Sequence, residues 1–570
     1  MLVNKHLHDT FQLVAHRRKV VKYQPLGGEA SPGCLLRWLA RPVILRNIRE
    51  LKILGPEHPI WRRINDARGI HATAVINPAD AFDWNPLIKL VETASRLETV
   101  EFDFGGANFP SVLLRALEKA HPRVNLRIWS YYRHEAEDHT SPDERALAVS
   151  PILRSIKAVI WSPFRRLPLD LRLAAFQRIV SNAPKLTSAT VILGGHIRHH
   201  SAESLADEKD AELKFFTENK RPNRSLRSLT LDGFSLCKET LEEWGKFVSL
   251  PDLTNLKISR GASDPSYFES AAGLLPNLKH VSLNLAAAYF IEDNLGLVEG
   301  YLKSCASLTS LSLWSWHAQV SMETILKHGP TLKSLQLHER EHPDWPPRRL
   351  LSVEEMARIR TACPHLEEIT FDMTREDENW DKDLELHRGM FDELKKFGKQ
   401  LGKVQIYLDL GLAAMIAIEQ DDSLDDELDI NDEMDEDEVV EDGDGDGDGD
   451  ADLQALQDNA TPEQTPHQSF FPCDRKGMQE HGEAMWKMLF GGPDRFGSRQ
   501  LEIKWGEWER KTHGPASDWA QWESENKARV LVRPHERDDR SHEPVCTVFG
   551  GKEPVEDELS DAGDDWVPAP

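Results

Sequence analysis

Ser307-Leu308-Thr309-Ser310-Leu311-Ser312-Leu313-Trp314 carries the pattern on which the rest of the sequence is laid out. Its skeleton is Leu-x-x-Leu-x-Leu, a short strand whose apolar side chains alternate to one side. The phrase recurs at Leu226/Leu229/Leu231, Leu253/Leu256/Ile258, Leu278/Val281/Leu283 and Leu332/Leu335/Leu337. Successive copies are 27, 25, 30 and 24 residues apart. Looser copies precede them at Ile48/Leu51/Ile53, Leu97/Val100/Phe102, Ile156/Val159/Trp161 and Leu186/Ala189/Val191, with a blurred one over His121–Ile128. Leu366/Ile369/Phe371 and Leu401/Val404/Ile406 follow. Self-similarity at such a period is the signature of a repeat array.

Helix-length segments separate the strands, and several end in Pro just before the next copy. Asn182-Ala183-Pro184-Lys185-Leu186, Leu275-Pro276-Asn277-Leu278 and Cys363-Pro364-His365-Leu366 share this junction. Proline ends a helix and releases the chain into extended structure. One strand–helix unit cannot cover its own apolar face, so each must stack on its neighbours. The pattern resembles the leucine-rich-repeat family in its irregular, cysteine-containing form, with Cys305 and Cys363 just ahead of their strands. That resemblance spans roughly residues 45–410. It implies an α/β solenoid, a curved parallel sheet with outer helices.

Composition bounds the rest. The net charge is −26, but residues 419–452 hold 20 Asp or Glu and no Lys or Arg, leaving −6 elsewhere. The scaffold lacks the basic field of a general nucleic-acid binder. Six cysteines, at 34, 237, 305, 363, 473 and 546, make neither a disulfide framework nor a paired metal spacing. They read as buried thiols in a reducing compartment, cytoplasmic or nuclear. No apolar run reaches the roughly 20 residues a membrane span needs, and the N-terminus carries no signal-peptide pattern. Neither membrane nor nucleic acid is expected as a partner.

Residues 1–22 read as a helix, because Val3, Leu7, Phe11 and Val14 share one face at a 3.6-residue period. Leu2-Val3-Asn4-Lys5 and His8-Asp9-Thr10-Phe11 resemble the end of an F-box, the module that docks substrate-recruiting subunits on the adaptor of a cullin-type ubiquitin ligase. The opening part of that module has no counterpart here. The resemblance therefore implies an adaptor-facing remnant at Leu2, Val3, Leu7 and Phe11, with docking crippled in the chain as it stands. Gly506-Glu507-Trp508-Glu509-Arg510, with Arg537-Asp538-Asp539 beyond it, is similar to the tail of fungal F-box and leucine-rich-repeat proteins.

The expected layout is an F-box-like helix over 1–22, a solenoid over 23–418 and a disordered acidic linker over 419–470. A last rung at Leu501/Ile503 with a Trp-rich end cap over 471–550, and a disordered tail over 551–570, complete it. The alternating Asp442–Asp450 run imitates a calcium loop. Taken from Asp444, however, its twelfth position is Ala455, where a bidentate Glu is required. His196, His199 and His200 have no Cys or carboxylate at ligand spacing. No metal or cofactor is expected. No phosphate loop, nucleophile elbow or metalloprotease motif occurs, so the chain reads as a binding protein and not an enzyme.

In Leu-x-x-Leu-x-Leu the residues between the inward leucines face out. This rule assigns a partner-binding wall to Thr230, Asp232, Lys257, Asn284, Ser312, Trp314, Gln336, His338 and Asp372. Trp314 stands out there, since tryptophan is enriched among binding hot spots. The partner is a substrate protein of unknown identity. Charge density in the acidic stretch leaves too little apolar surface to fold. Limited proteolysis of the native chain should therefore cut first between Asp421 and Asp452, and uniform resistance there would refute the linker assignment.

Overall fold

A computed structural model describes residues 17–22, 37–55, 83–104, 109–131, 141–161, 170–194, 222–233, 238–259, 265–285, 295–339, 348–374, 385, 387–408, 475–490, 499–505, 528–533 and 545–550. The chain divides into two compact units. The first holds residues 1–337 with 361–366 and 511–517; the second holds 338–360, 367–510 and 518–570.

The first unit is α/β. Its strands are β1 (Arg18–Lys22), β2 (Glu50–Leu54), β3 (Thr99–Asp103), β4 (Asn125–Tyr131), β5 (Leu153–Trp161), β6 (Ser188–Gly194), β7 (Ser228–Asp232), β8 (Asn255–Ser259), β9 (His280–Asn284) and β10 (Ser310–Trp314). Each pairs in parallel with the next in chain order. Helices fill the crossovers: α1 (Pro42–Asn47), α2 (Asn85–Thr93), α3 (Ser111–Ala120), α4 (Pro142–Ala148), α5 (Asp170–Asn182), α6 (Lys238–Phe247), α7 (Pro265–Leu274), α8 (Leu295–Ser304) and α9 (Met322–Leu326). A strand β11 (Ser334–His338) lies at the boundary between the units, and α10 (Val353–Ala362) follows it.

The repeated leucines make the core. Leu226, Leu229 and Leu231 are at most 3% exposed, and so are the triplets at 253, 278, 308 and 332. A second device recurs beside them. In most rungs the residue after the first leucine offers its carbonyl to two backbone N–H groups of the next rung. Arg227 accepts from Thr254 and Asn255, Thr254 from Lys279 and His280, Lys279 from Thr309 and Ser310, and Thr309 from Lys333 and Ser334. Where that residue is threonine its hydroxyl donates to the same carbonyl, at 3.2 Å from Thr254 to Arg227 and 3.1 Å from Thr309 to Lys279. These bonds fix the register before the strand proper begins.

Two expectations fail here. Residues 18–22 are strand, not the end of a helix: Arg18–Lys22 pairs with Glu50–Leu54, and Val21 is 3% exposed. The β-branched pair Val20-Val21 suits a pleated ladder, and pairing with β2 outweighs the weak helical period. Leu2, Val3, Leu7 and Phe11 lie outside the described residues. In β5 the inward triplet is Leu153/Ile156/Ala158, three residues earlier than expected. The register shifts between β4 and β5 explain the error, because the nine-residue strand offers more than one leucine-like phase.

The second unit continues in the α/β manner with β12 (Glu368–Met373), α11 (Arg388–Lys395), β13 (Lys403–Leu408), α12 (Arg475–Phe490) and β14 (Gln500–Trp505). β12, β13 and β14 pair in parallel, so the strand expected at Leu501/Ile503 is present. β15 (Ala528–Arg533) then pairs antiparallel with β14, and β16 (Val545–Gly550) antiparallel with β15. The acidic stretch and the Trp-rich segment lie outside the described residues. Among the described residues no helix is long and apolar enough to cross a membrane.

Gly329 opens a short turn where a Cβ would lie 2.4 Å from the carbonyl oxygen of Ala362. That neighbour is backbone and cannot swing away. Gly329→Ala is expected to destabilise the fold by about 1–3 kcal/mol, the usual cost of overpacking, read as a lowered denaturation midpoint at unchanged slope.

Candidate functional site

The outward rows of the parallel strands form the candidate site, and the two units differ in what they do with them. In the first unit Thr190, Thr230, Lys257, Ser282 and Ser312 stand side by side in register on five adjacent strands. Asp232 pairs with Ser259, and Asn284 with Trp314. Lys257 is exposed, whereas Thr230, Asp232, Asn284, Ser312, Trp314 and Gln336 are half-buried. From β6 to β10 the outward rows therefore align short polar side chains, with one large aromatic at their end.

Sequence reasoning missed its other aromatic. Trp129 in β4 is 38% exposed, and Leu126 and Ile128 beside it point inward, which leaves Arg127 and Trp129 facing out. The blurred phase over His121–Ile128 hid it. Six strand spacings separate β4 from β10, about 29 Å at 4.8 Å per step. Ser315, next to Trp314, has φ 55 and a buried hydroxyl with no hydrogen-bond partner among the described residues. A left-handed non-glycine residue is sustained only where surrounding structure holds it.

The second unit closes its outward rows. His338 is fully buried and Asp372 is 5% exposed, so neither belongs to an open wall. Asp372 Oδ1 lies 2.5 Å from His338 Nδ1, and Asp372 Oδ2 accepts the Glu339 N–H at 2.6 Å. The Arg348 guanidinium sits 3.6 Å from the same carboxylate, with both side chains 3% exposed. Tyr407 stacks on the His338 ring with centroids 3.9 Å apart. Its hydroxyl accepts from Lys504 Nζ at 3.2 Å. Lys504 lies 3.7 Å from Glu502, which Arg529 Nε meets at 2.7 Å.

Strand register lines this network up: Asp372 opposes Tyr407, Tyr407 opposes Lys504, and Lys504 opposes Arg529. A buried charge survives only when paired and hydrogen-bonded, and here Asp372 is met by His338 and Arg348, and Glu502 by Lys504 and Arg529. The rule that placed Thr370 and Asp372 outward also gives Gln405 and Tyr407, then Glu502 and Lys504. What sequence could not supply was their burial.

The chemistry open to these groups is limited. The His338–Asp372 pair has the geometry by which a carboxylate orients an imidazole, but the ring is sealed from any substrate. Burial pushes the thiols of Cys305 and Cys363 up to about 11 and that of Cys546 to about 12, which keeps them protonated at neutral pH. Among the described residues no group of three or more His, Cys, Asp or Glu is placed to hold a metal. The chain matches no known protein family, and no curated protein matches it either.

Removing one partner from a buried charge pair strands the other. Asp372→Ala is therefore expected to cost about 3–5 kcal/mol of stability. Lys257→Ala on the open wall should fall within about 0.5 kcal/mol. Equal effects in chemical denaturation would mean that the two faces do not differ in kind.

Proposed function

We propose that the chain is a leucine-rich-repeat interaction scaffold that recognises a protein partner on the open outward rows of its first unit. The observation that carries this reading is the wall itself. Thr190, Thr230, Lys257, Ser282 and Ser312 are aligned and polar, with Trp129 on β4 and Trp314 on β10, six strand spacings apart. A surface of that length suits a folded protein and exceeds a small ligand. Short polar side chains cost little to desolvate, and a half-buried tryptophan adds large contact area at small entropic cost.

A second reading rests on Leu2-Val3-Asn4-Lys5 and His8-Asp9-Thr10-Phe11, whose resemblance to an F-box favours a substrate-recruiting subunit of a cullin-RING ubiquitin ligase. In that case the wall holds the substrate, and Leu2, Val3, Leu7 and Phe11 face the ligase adaptor. Co-expression with the adaptor separates the readings. On the F-box reading, a version supplied with the missing opening part of the module co-purifies stoichiometrically and loses the adaptor on substitution of Leu7 and Phe11 by Asp, whereas the chain as it stands does not retain it. A plain scaffold never retains it.

Both readings make the same demand on the wall. Trp314→Ala should weaken partner binding by about 2 kcal/mol or more, near thirtyfold in Kd, with the thermal midpoint barely moved. A large loss of stability with unchanged binding would place Trp314 in the core and remove the wall's main anchor.

A further inference from the structure

The second unit carries a groove that the wall does not use. Leu394, Leu401, Val404 and Leu489 form its apolar floor, Lys395 and Arg499 stand at its rim, and it encloses about 240 Å³. The four floor side chains belong to α11, to the turn before β13, to β13 itself and to α12. The Arg499 guanidinium lies over the Phe490 ring at 5.0 Å, which holds a cation at the mouth. Lys396, Lys399 and Lys403 are close in sequence to lining residues and add to the positive charge. The local acids Asp392 and Glu393 are already engaged, with Lys395 at 3.1 Å and with Lys396 and Arg360. An apolar floor under a cationic rim selects a ligand that is both aliphatic and acidic.

We propose that this groove holds the stretch Leu424-Asp425-Asp426-Glu427-Leu428-Asp429-Ile430 of the same chain. Residues 421–441 contain 13 Asp or Glu and no Lys or Arg, yet they also carry Leu424, Leu428, Ile430 and Met434. The Asp442–Asp450 run beyond has no apolar residue. Leucines four apart can fill one apolar cleft, while the carboxylates between them meet Lys395 and Arg499. The exposed Lys395–Asp392 pair is of a kind worth little, so Lys395 can exchange partners.

The connection permits it. Val404 lines the groove and β13 ends at Leu408, about 13 Å further along the strand at 3.3 Å per residue. Fifteen residues lie between Leu408 and Leu424, and the sixteen steps span up to about 55 Å when extended. On the other side Phe490 reaches the groove at the end of α12, and that helix begins only about 23 Å away at Arg475. Tethering at both ends raises the segment's effective concentration toward the millimolar range, so modest affinity suffices. Docking of the aliphatic part leaves Asp442–Asp450 as the portion open to proteases.

Zero-length carbodiimide cross-linking of the full chain, read by mass spectrometry, tests this. Lys395 and Lys399 should link to carboxylates within residues 421–441, within one molecule and at a yield independent of protein concentration. Raising the salt to 1 M, where charges are screened beyond about 3 Å, should lower the yield at least fivefold. Arg499→Glu, at the half-buried rim, should do the same at low salt. Leu428→Asp adds charge but removes an anchor, and it should also reduce the links. Unchanged or higher yield in Leu428→Asp would show charge attraction without a groove and overturn the proposal. Links spread equally to Lys52 and Lys257, links from residues 553–558, or links between molecules would overturn it as well.

Discussion

In most rungs the carbonyl that follows the first leucine binds two N–H groups of the next rung, and the rest of the molecule depends on that bond pair. It sets the register, and register decides which side of a strand is apolar. A slip of one residue would carry Leu229 and Leu231 to the outside and Thr230 to the core. The bond pair precedes the strand in Arg227, Thr254, Lys279 and Thr309, and it recurs in the second unit where Glu367 accepts from Gly402 and Lys403. Threonine at two of these positions adds its hydroxyl to the same acceptor. Register is thus held by local polar chemistry, and the leucines then have only one face to fill.

With register fixed, the two units treat their outward rows oppositely. Short uncharged side chains dominate β6 to β10, where desolvation by an incoming surface costs little. In β12 to β15 the same positions carry Asp372, Tyr407, Lys504, Glu502 and Arg529, whose charges are already paired. A face whose ionic groups satisfy one another offers a partner little to gain, since new contacts must first break existing ones. Paired charges are not confined to the second unit, since Glu101 meets Arg18 and Arg127 on β1, β3 and β4; the stretch dominated by uncharged side chains is β6 to β10.

The fold was legible to the degree that leucine spacing reports stacking. Rungs with three large aliphatic residues, such as Leu308/Leu311/Leu313, were placed to the residue. Leu186/Ala189/Val191 was placed as well, but the rung beside the β4–β5 register shift was not. In β5 the true triplet ends in Ala158, whose small side chain gives no signal beside Val159 and Trp161. In β1 the helical period of Val3, Leu7, Phe11 and Val14 ran on by inertia into Arg18–Lys22, where a neighbouring strand 32 residues away in sequence decides the structure. The outward direction of Thr230, Lys257 and Ser312 was legible because outward positions follow from inward ones; Tyr407 and Lys504, at the same kind of position, were not singled out. Burial of His338 and Asp372 was not legible: a period of two says which way a side chain points but not what lies over it.

The end of the parallel run follows from the same physics. A parallel array cannot stop without exposing a strand edge, and such an edge invites pairing with another chain. After β14 the chain turns back twice, and β15 and β16 pair antiparallel on its open side. Val530 and Val532 bury against α12, where Gly482 leaves room: a Cβ there would lie 2.7 Å from the Val530 side chain. Arg529, facing the other way, meets Glu502 and extends the paired charges onto the first antiparallel strand. One strand thus buries valines against the helix on one side and pairs a charge with Glu502 on the other.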